Sequence, residues 1–365
     1  MPNPEAIPTL GDVAKMAGVS SATVSRCLNA PDRVVEATRQ RVQEAIEALG
    51  YTPNFAARVM AAKSTMTIGA IIPTMENAIF ARGVQAFQEE LHRQGYTLLV
   101  ASSAYRPDIE NEQIRALVAR GADGLLLIGH DREAEIYDYL ARQKVPALAA
   151  WSHSEAGQIP SIGFDNAQAM FSLTQEVIKL GHTKIAMISG VTQGNDRARL
   201  RLQGCRDAME ANGLDAAKLP VIEAAYEIEH GAAAFAKLMA RSPRPSVVMC
   251  GNDVLATGAL LCAQRLGLAV PEDVSITGFD DIELARVTNP ALTTVHVPHR
   301  EMGGKAALEL VDMVKNKSPG RSAKLPTHIT WRQSLGPVGD PVGGPVVGPV
   351  AGPVGDSARP ASEAS

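Results

Sequence analysis

A hydroxyl-rich segment with a single arginine, near the start of the chain, has the residue types that read DNA bases. Arginine can bind guanine through two hydrogen bonds, and alanine can contact the methyl group of thymine. The side chains that the apolar pattern leaves facing outward are Ser20, Ser21, Ala22, Ser25, Arg26 and Asn29. We expect this segment to enter the major groove of double-stranded DNA. The alternative is an ordinary helical bundle with a polar surface, and the seven basic and six acidic side chains of residues 1–65 do not decide between the two.

A second group of polar and aromatic residues follows short apolar runs farther along the chain. Trp151, Asn252, Asp253 and Asp280 come shortly after such runs, and Phe80 lies in the first connection between a run and a helix-length segment. If the runs are parallel strands, these residues line a cleft at the carboxyl edge of the sheet. Aromatic rings offer flat apolar faces to a sugar, and amides and carboxylates bond its hydroxyls. Two alternatives stay open: Asp253 could cap its helix, and Trp151 could pack at the rim.

Three short helices are predicted around the first group. Thr9 begins a Thr-Leu-Gly-Asp capping box for a helix that ends near Gly18. Ser20 can cap a second helix over Ser21–Leu28, and a third helix spans Val35–Leu49. Two helices joined by a tight glycine turn form the helix-turn-helix arrangement. This all-α unit is therefore predicted to be a DNA-binding headpiece.

Strand-length and helix-length segments alternate between residues 65 and 331. The apolar runs are Thr67–Ile72, Thr97–Ser102, Gly124–Ile128, Ala147–Ala150, Ile185–Ile188, Val247–Cys250 and Ser275–Thr277. The amphipathic segments between them include Ile79–Gln94, Asp108–Ala119, Asn166–Leu180 and Asp253–Leu266. Such alternation predicts an α/β fold with parallel sheets covered on both faces. The stretch is too long for one sheet, so we expect two doubly wound lobes.

The composition excludes several classes of protein. A formal charge of −4, from 35 basic and 39 acidic groups, argues against a chain that coats nucleic acid along its whole length. The four cysteines are scattered, and no Cys-x-x-Cys pair, phosphate-binding glycine loop or catalytic serine or zinc motif is present. We therefore expect no metal, no cofactor and no enzyme activity. Because no apolar run reaches the roughly 18 residues of a membrane span and the first residues do not form a secretion signal, we expect no membrane association and a cytoplasmic location.

These patterns divide the chain into four segments. The headpiece covers residues 1–52, a hinge helix and linker cover residues 53–64, and the two-lobed sensor covers residues 65–335. Residues 336–365 repeat Gly-Pro-Val. Proline and glycine at this density sustain neither helix nor strand, so this last segment is predicted to be a disordered tail.

Many separate motifs resemble those of the LacI family of bacterial transcription regulators. The string D-V-A-x-x-A-G-V-S-x-x-T-V-S-R-x-L-N occupies residues 12–29, and F-D-N, G-N-D and G-F-D-D follow at 164–166, 251–253 and 278–281. The resemblance extends over about residues 9–335. It implies a two-lobed sensor like that of periplasmic binding proteins, preceded by the helix-turn-helix headpiece.

The resemblance also implies a homodimer bound to a pseudo-palindromic operator. It places base contacts at Ser21 and Ala22, with Arg26 one helical turn later. The hinge is too short to hold as a helix in water, and in the family it folds on DNA and wedges an apolar side chain into the minor groove. Here that side chain is Met60, which could instead pack inside the dimer. The complete set expected at the DNA is Thr9, Ser20, Ser21, Ala22, Ser25, Arg26, Asn29, Arg33, Tyr51, Asn54, Ala57 and Met60.

In the cleft, the resemblance adds Arg201 and Tyr226. The effector-binding set is then Phe80, Trp151, Arg201, Tyr226, Asn252, Asp253 and Asp280. The fork of Arg201 could hold a carboxylate or two hydroxyls, or it could form a structural pair with Asp280. The expected ligand is a sugar or a sugar acid, and the segment N-A-I-F-A-R-G-V at 77–84 resembles gluconate-type repressors.

The function that follows is a repressor that a small molecule releases from DNA. Three alternatives remain: ligand as corepressor, control by a protein partner, and a periplasmic solute-binding protein. The missing secretion signal and the extra headpiece argue against the last of these. Tetramers in the family need a C-terminal leucine-repeat helix, which the Gly-Pro-Val tail cannot form, so a dimer is expected.

The wedge assignment predicts that Met60→Ala weakens operator binding and leaves dimerisation unchanged, because the smaller side chain cannot unstack a base step. Operator titrations, with the oligomeric state measured in parallel, check this. An unaltered operator affinity would remove Met60 from the interface.

Overall fold

The computed structural model describes residues 7–52, 64–76 and 78–338, and the first of these ranges is helical. It contains α1 (Leu10–Ala17), α2 (Ser21–Asn29), a 3-10 turn (Pro31–Arg33) and α3 (Glu36–Leu49). The predicted capping box is confirmed: the Asp12 amide donates to the Thr9 hydroxyl at 3.3 Å, and the Asp12 carboxylate accepts the Thr9 amide at 2.9 Å. The turn after α1 is left-handed at Gly18, with φ +65°. This turn sets α2 across α1, as the sequence predicts.

Two six-stranded sheets build the sensor. The first lobe has the strand order β11-β5-β4-β3-β1-β2 and the second has β12-β10-β9-β8-β6-β7. The strands are β1 (Thr67–Ile72), β2 (Thr97–Ser102), β3 (Gly124–Ile128), β4 (Ala147–Ala150), β5 (Ser161–Gly163), β6 (Ile185–Gly190), β7 (Val221–Ala224), β8 (Val247–Cys250), β9 (Ser275–Asp280), β10 (Thr293–His296), β11 (Ala323–Lys324) and β12 (His328–Thr330). Only the β10–β12 pairing is antiparallel within the described ranges. The predicted pair of doubly wound lobes is confirmed.

Helices cover both faces of each sheet. They are α4 (Ala78–Arg93), α5 (Pro107–Ala119), α6 (Ala134–Gln143), α7 (Asn166–Lys179), α8 (Asp196–Ala211), α9 (Ile228–Met239), α10 (Asp253–Arg265), α11 (Leu284–Val287) and α12 (His299–Asn316). All residues of the central strands β1, β3, β4 and β8 are buried. Each lobe therefore has a core on both sides of its sheet. No helix in the described ranges has the length and apolar character needed to cross a membrane.

Over residues 64–338 the described chain passes between the lobes three times. The crossings follow β5, β10 and β11, so α7 and β12 belong to the second lobe and α12 packs on the first. Two of the strands differ from their predicted length: β6 continues to Gly190, and β9 continues to Asp280. Asp280 is thus the last residue of a strand and not part of the loop after it.

The ordered contacts of the sensor continue past the predicted boundary at residue 335. His182 bonds the Ser246 hydroxyl through Nδ1 and the Gly336 carbonyl through Nε2, both at 2.9 Å. The Val338 amide donates to the Leu180 carbonyl at 3.1 Å. His182 therefore fixes the C-terminal segment to the second lobe. The predicted disorder of residues 339–365 lies outside the described residues.

Helices α7 and α8 approach closely at Gly204, which generates a stability prediction. A Cβ atom at Gly204 would overlap the backbone carbonyl of Ala167, whereas a Cβ atom at Gly304 meets no atom within 4 Å. Gly204→Ala should cost about 1–3 kcal/mol through overpacking and lower Tm by several degrees. The matched control, Gly304→Ala, should be neutral or gain up to about 1 kcal/mol. Thermal unfolding of the two variants checks this, and equal Tm values would contradict the close packing.

Candidate functional site

The first candidate surface lies on α2. Ser21, Ala22 and Arg26 are exposed, Ser25 is half-buried, and the Arg33 side chain is exposed in the turn that follows. Ser21 and Ala22 are neighbours, and Ser25 and Arg26 each follow one of them by four residues. These α2 positions therefore lie on adjoining parts of one helix face. This face can present a guanidinium and small polar groups to a groove.

Three other predicted DNA residues already have structural roles. The Ser20 hydroxyl accepts the Thr23 amide at 3.2 Å and so caps α2. The Thr9 hydroxyl donates to the Asp12 carboxylate at 2.6 Å. Tyr51 is 7% exposed and packs in the headpiece core, so its ring stabilises the unit. Asn29 is the last residue of α2. The hinge residues Asn54, Ala57 and Met60 lie outside the described residues.

A cavity of about 680 Å³ lies between the lobes, where the carboxyl ends of the strands meet. Glu76 and Tyr105 line it from the first lobe, and Asn195 and Tyr226 from the second. The rings of Tyr105 and Tyr226 lie 5.6 Å apart, centre to centre. Loss of water contact raises the pKa of the Tyr105 hydroxyl, and nearby Tyr226 and Asp280 raise it further. Tyr226 is the one predicted effector residue that lines this cavity.

The other predicted effector residues form a buried layer next to the cavity, centred on Arg201. Its Nε donates to Asn166 Oδ1 at 2.8 Å, its Nη1 donates to the Gly251 carbonyl at 2.6 Å, and its Nη2 lies 3.4 Å from Asp280 Oδ1. The guanidinium also stacks 3.8 Å from the centre of the Phe279 ring. The structural Arg201–Asp280 pair that the sequence left open is therefore present.

Two polar atoms in this layer have no protein partner in the described part of the chain. They are the Asp280 Oδ2 and the Asn252 Nδ2, and both residues are fully buried. Asn252 already uses its Oδ1 to cap α10 by accepting the Leu255 amide at 2.9 Å. A buried polar atom without a partner costs about 1–3 kcal/mol. One acceptor and one donor thus remain without a partner in the buried layer beside the cavity.

Asp253 does not line the cavity, which corrects its predicted role. Its Oδ1 accepts the Thr294 hydroxyl at 2.6 Å and its Oδ2 accepts the Ile282 amide at 2.8 Å. The residue is fully buried, and burial, followed by the charge of Asp280, raises the pKa of its carboxyl well above the usual value. Asp253 is the first residue of α10 and points inward, so it fixes the loop after β9. The helix cap is Asn252, not Asp253.

Phe80 and Trp151 are also core residues, 3% and 1% exposed, so neither offers an open ring face to the cavity. Their rings pack edge to face at 5.4 Å. The Trp151 Nε1 donates to the His299 Nδ1 at 3.1 Å, and the His299 Nε2 lies 3.2 Å from the Asp280 carbonyl oxygen. Because Nδ1 accepts, the proton is on Nε2, and His299 is held neutral. His299 thus links the first lobe to the last residue of β9 in the second.

The sequence did not indicate His299 as a site residue, because no motif surrounds it in the chain. Its partners are 148 and 19 residues away in sequence. Among the described residues, no group of three His, Cys, Asp or Glu side chains is arranged to hold a metal ion.

Further bonds join the lobes beside the cavity. The Asp196 carboxylate accepts the His130 amide at 2.8 Å, and Arg197 donates to the last carbonyl of β3 at 3.1 Å. Arg199 and Asp131 form an ion pair of 2.6 Å. Burial raises the pKa of Asp196, but the Arg197 charge and the His130 amide outweigh it, and the net shift is downward. These contacts hold the lobes together around the cavity.

Comparison with known proteins now identifies the family. The model described as "Bacterial regulatory proteins, lacI family" matches residues 9–54, and a periplasmic binding protein-like domain matches residues 174–335. Catabolite control protein A of Priestia megaterium is 33% identical over 328 residues, which cover 89% of this chain and 98% of that protein. The chain belongs to the LacI family. Its relatives by this measure are transcriptional regulators and not enzymes, as the resemblance implied.

Solved structures of family members have the same architecture. The Lac repressor dimer bound to its operator and an anti-inducer is 26% identical, with a TM-score of 0.81, over 91% of this chain and 100% of that one. The regulator CelR in complex with cellobiose is 30% identical, with a TM-score of 0.67, over 90% of this chain and 99% of that one. The predicted headpiece and two-lobed sensor of this LacI-family regulator are thereby confirmed.

The buried, neutral His299 generates a pH prediction. Burial lowers its pKa from the usual 6.5, which outweighs the opposing effect of Asp280. The unfolded chain therefore binds more protons than the folded chain below about pH 6.5, and stability falls as the pH is lowered through that range. His299→Gln should make this fall shallower, although His130 and His182, whose pKa values burial also lowers, retain part of it.

Denaturant unfolding between pH 7.5 and pH 5 measures the slope. The matched control is His92→Gln, which changes an exposed histidine on α4 and should keep the slope of the parent protein. A slope that is identical in His299→Gln and the parent would contradict a neutral His299.

Proposed function

We propose that this regulator is a cytoplasmic, homodimeric repressor that binds a specific operator and that a neutral sugar releases from it. One observation supports the effector: Asp280 and Asn252 leave an acceptor and a donor unmatched next to a cavity of about 680 Å³. Val254 and Ile282 line that cavity, each two residues along the chain from one of the unmatched groups. A polyhydroxyl ligand supplies hydroxyls that complete both.

The charge of the cavity favours a neutral sugar over a sugar acid. Glu76, Glu227 and Glu229 line it, and no lysine or arginine does so in the described residues. Arg201, which could have held a carboxylate, already bonds Asn166 and Gly251 and faces Asp280. A carboxylate ligand would therefore meet mostly like charge. This argues against the gluconate-type ligand that the first lobe suggested.

On the DNA side, we place Arg26 and Ser21 of α2 in the major groove, with Ala22 beside a thymine methyl. Arg33 is positioned to meet a phosphate. The hinge residues Asn54, Ala57 and Met60 keep the roles that the family resemblance implies. The Lac repressor dimer on its operator supports this arrangement, because the two chains match over nearly their full lengths.

The coupling between the two sites is a shift between lobe arrangements. A ligand bound by Asp280 and Asn252 contacts the second lobe, and Glu76 and Tyr105 contact it from the first. A ligand changes DNA affinity only as far as it binds one arrangement better than the other. A protein partner as effector is the main alternative, and it requires no ligand in the cavity.

Operator release tests the effector proposal. DNA flanking the regulator's own gene is titrated at stated salt, with neutral sugars and sugar acids as separate panels. Asp280→Asn should lose about tenfold or more in effector affinity, because the carboxylate acceptor is removed. Because it also disturbs the buried pair with Arg201, its Tm and its operator binding without effector are measured first. The matched control, Asp138→Asn on the exposed face of α6, should respond like the parent. Release by sugar acids alone, or by no compound, would overturn the proposal.

The DNA assignment is tested in the same titrations. Arg26→Ala should weaken operator binding by about 1–3 kcal/mol and binding to unrelated DNA by little. The ratio of operator affinity to unrelated-DNA affinity should therefore fall. Arg33→Ala should weaken both DNAs alike and reduce the salt dependence. If Arg26→Ala leaves the operator preference intact, α2 does not read the bases through this residue.

A further inference from the structure

A second cavity, of about 500 Å³, lies at the hinge between the lobes. Residues at or beside each described crossing bound it: Asp165 after β5, Val295 within β10, and the chain from Lys324 at the end of β11 to His328 at the start of β12. One side of α7 forms its remaining wall, through Ser172 and Glu176 among others. None of the predicted DNA-binding or effector-binding residues that the structure describes lines it. We call this cavity the hinge groove.

An exposed tryptophan lies in the hinge groove. Trp331 lines the groove and is 50% exposed, whereas the protein's other tryptophan, Trp151, is 1% exposed. Pro326, Leu325 and Ile329 add apolar surface beside it. Grooves lined by aromatic residues are where proline-rich segments dock in the polyproline II conformation.

The chain itself carries such a segment. Pro-Val recurs every four residues, at 337–338, 341–342, 345–346, 349–350 and 353–354. The first copy is seated on the sensor: the Gly336 carbonyl accepts from the buried His182, and the Val338 amide donates to the Leu180 carbonyl. The described chain therefore ends beside the C-terminus of α7. Glu176, one turn earlier on the same helix, already lines the hinge groove.

The remaining length is sufficient to reach and fill the groove. Helix α7 has 14 residues and is about 21 Å long. A polyproline II segment advances about 3.1 Å per residue, so about seven residues match the length of the helix. Residues 339–365 provide several times that number.

We propose that the Pro-Val repeats of residues 339–355 run back along α7 and dock in the hinge groove against Trp331. The occupant is the chain's own tail, which is already anchored at one end of the helix that forms the wall. Because residues beside each described crossing border the groove, its shape depends on the lobe arrangement, and a docked tail favours the arrangement that it fits better. The tail then stabilises one arrangement of the two lobes from within the same chain.

Tryptophan fluorescence of the full-length protein tests the docking, because acrylamide reaches Trp331 far more readily than the buried Trp151. A chain ending at Val338 should show stronger quenching and a red-shifted emission. A synthetic peptide of residues 339–357 added to it should reverse both changes. Equal quenching in the full and shortened chains, or no response to the peptide, would overturn the proposal.

Two matched pairs of variants locate the contact. Val342→Asp, Val346→Asp and Val350→Asp together should mimic the shortened chain, whereas Ala358→Asp, Ala361→Asp and Ala364→Asp, beyond the repeats, should not. On α7, Ser172→Arg fills the groove and should release the tail, whereas Gln175→Arg, which does not line the groove, should not. Protection of Trp331 that persists without the tail but vanishes on dilution would assign the groove to a second copy of the chain.

Discussion

The buried pair of Arg201 and Asp280 is the interaction on which the sensor's cleft depends. An ion pair in a protein interior is favourable only if further bonds satisfy the charges, since desolvation costs several kcal/mol per ion. Asn166 and Gly251 supply those bonds to Arg201, and the Phe279 ring covers its face. Asp280 has fewer hydrogen-bond partners than Arg201, because its Oδ2 has none in the described chain. The unpaired oxygen lies in the buried layer beside the cavity, and under the proposed function a ligand hydroxyl completes it.

The same aspartate connects this charge pair to the other lobe. Asp280 has φ +102°, an unusual conformation for a residue with a side chain, and it turns its carbonyl toward His299 Nε2. His299 in turn accepts from Trp151, which has φ +63° and packs against Phe80 at the start of α4. A ligand that moves the Asp280 backbone therefore acts on a continuous set of hydrogen bonds and packed rings. This continuity gives the lobes a physical means of responding together.

Interactions between neighbours in sequence predicted much of this fold, and contacts between distant segments explain the rest. The caps at Thr9 and Ser20 and the central strands could be predicted because neighbours in sequence decide them. Strand ends also located the edge where the cleft lies. Strand ends did not show how deeply each side chain is buried. Trp151 and Asp253 follow strands as predicted but turn into the core, because partners such as His299 and Thr294 come from distant segments. Short edge strands such as β7 were not predicted, because they lack a fully buried apolar run.

The positions of the two cavities restrict how this regulator can be controlled. The effector cavity opens where the strands end, and the hinge groove is bounded by residues at or beside the described crossings between the lobes. A rotation of one lobe against the other must change the shape of both, because the same crossings carry the rotation. An occupant that prefers one lobe arrangement in either cavity therefore alters the free energy of binding in the other cavity by linkage. A ligand that binds both lobe arrangements equally well leaves DNA affinity unchanged, however tightly it binds. Selectivity for one arrangement, and not affinity alone, is the property that an effector of this protein must have.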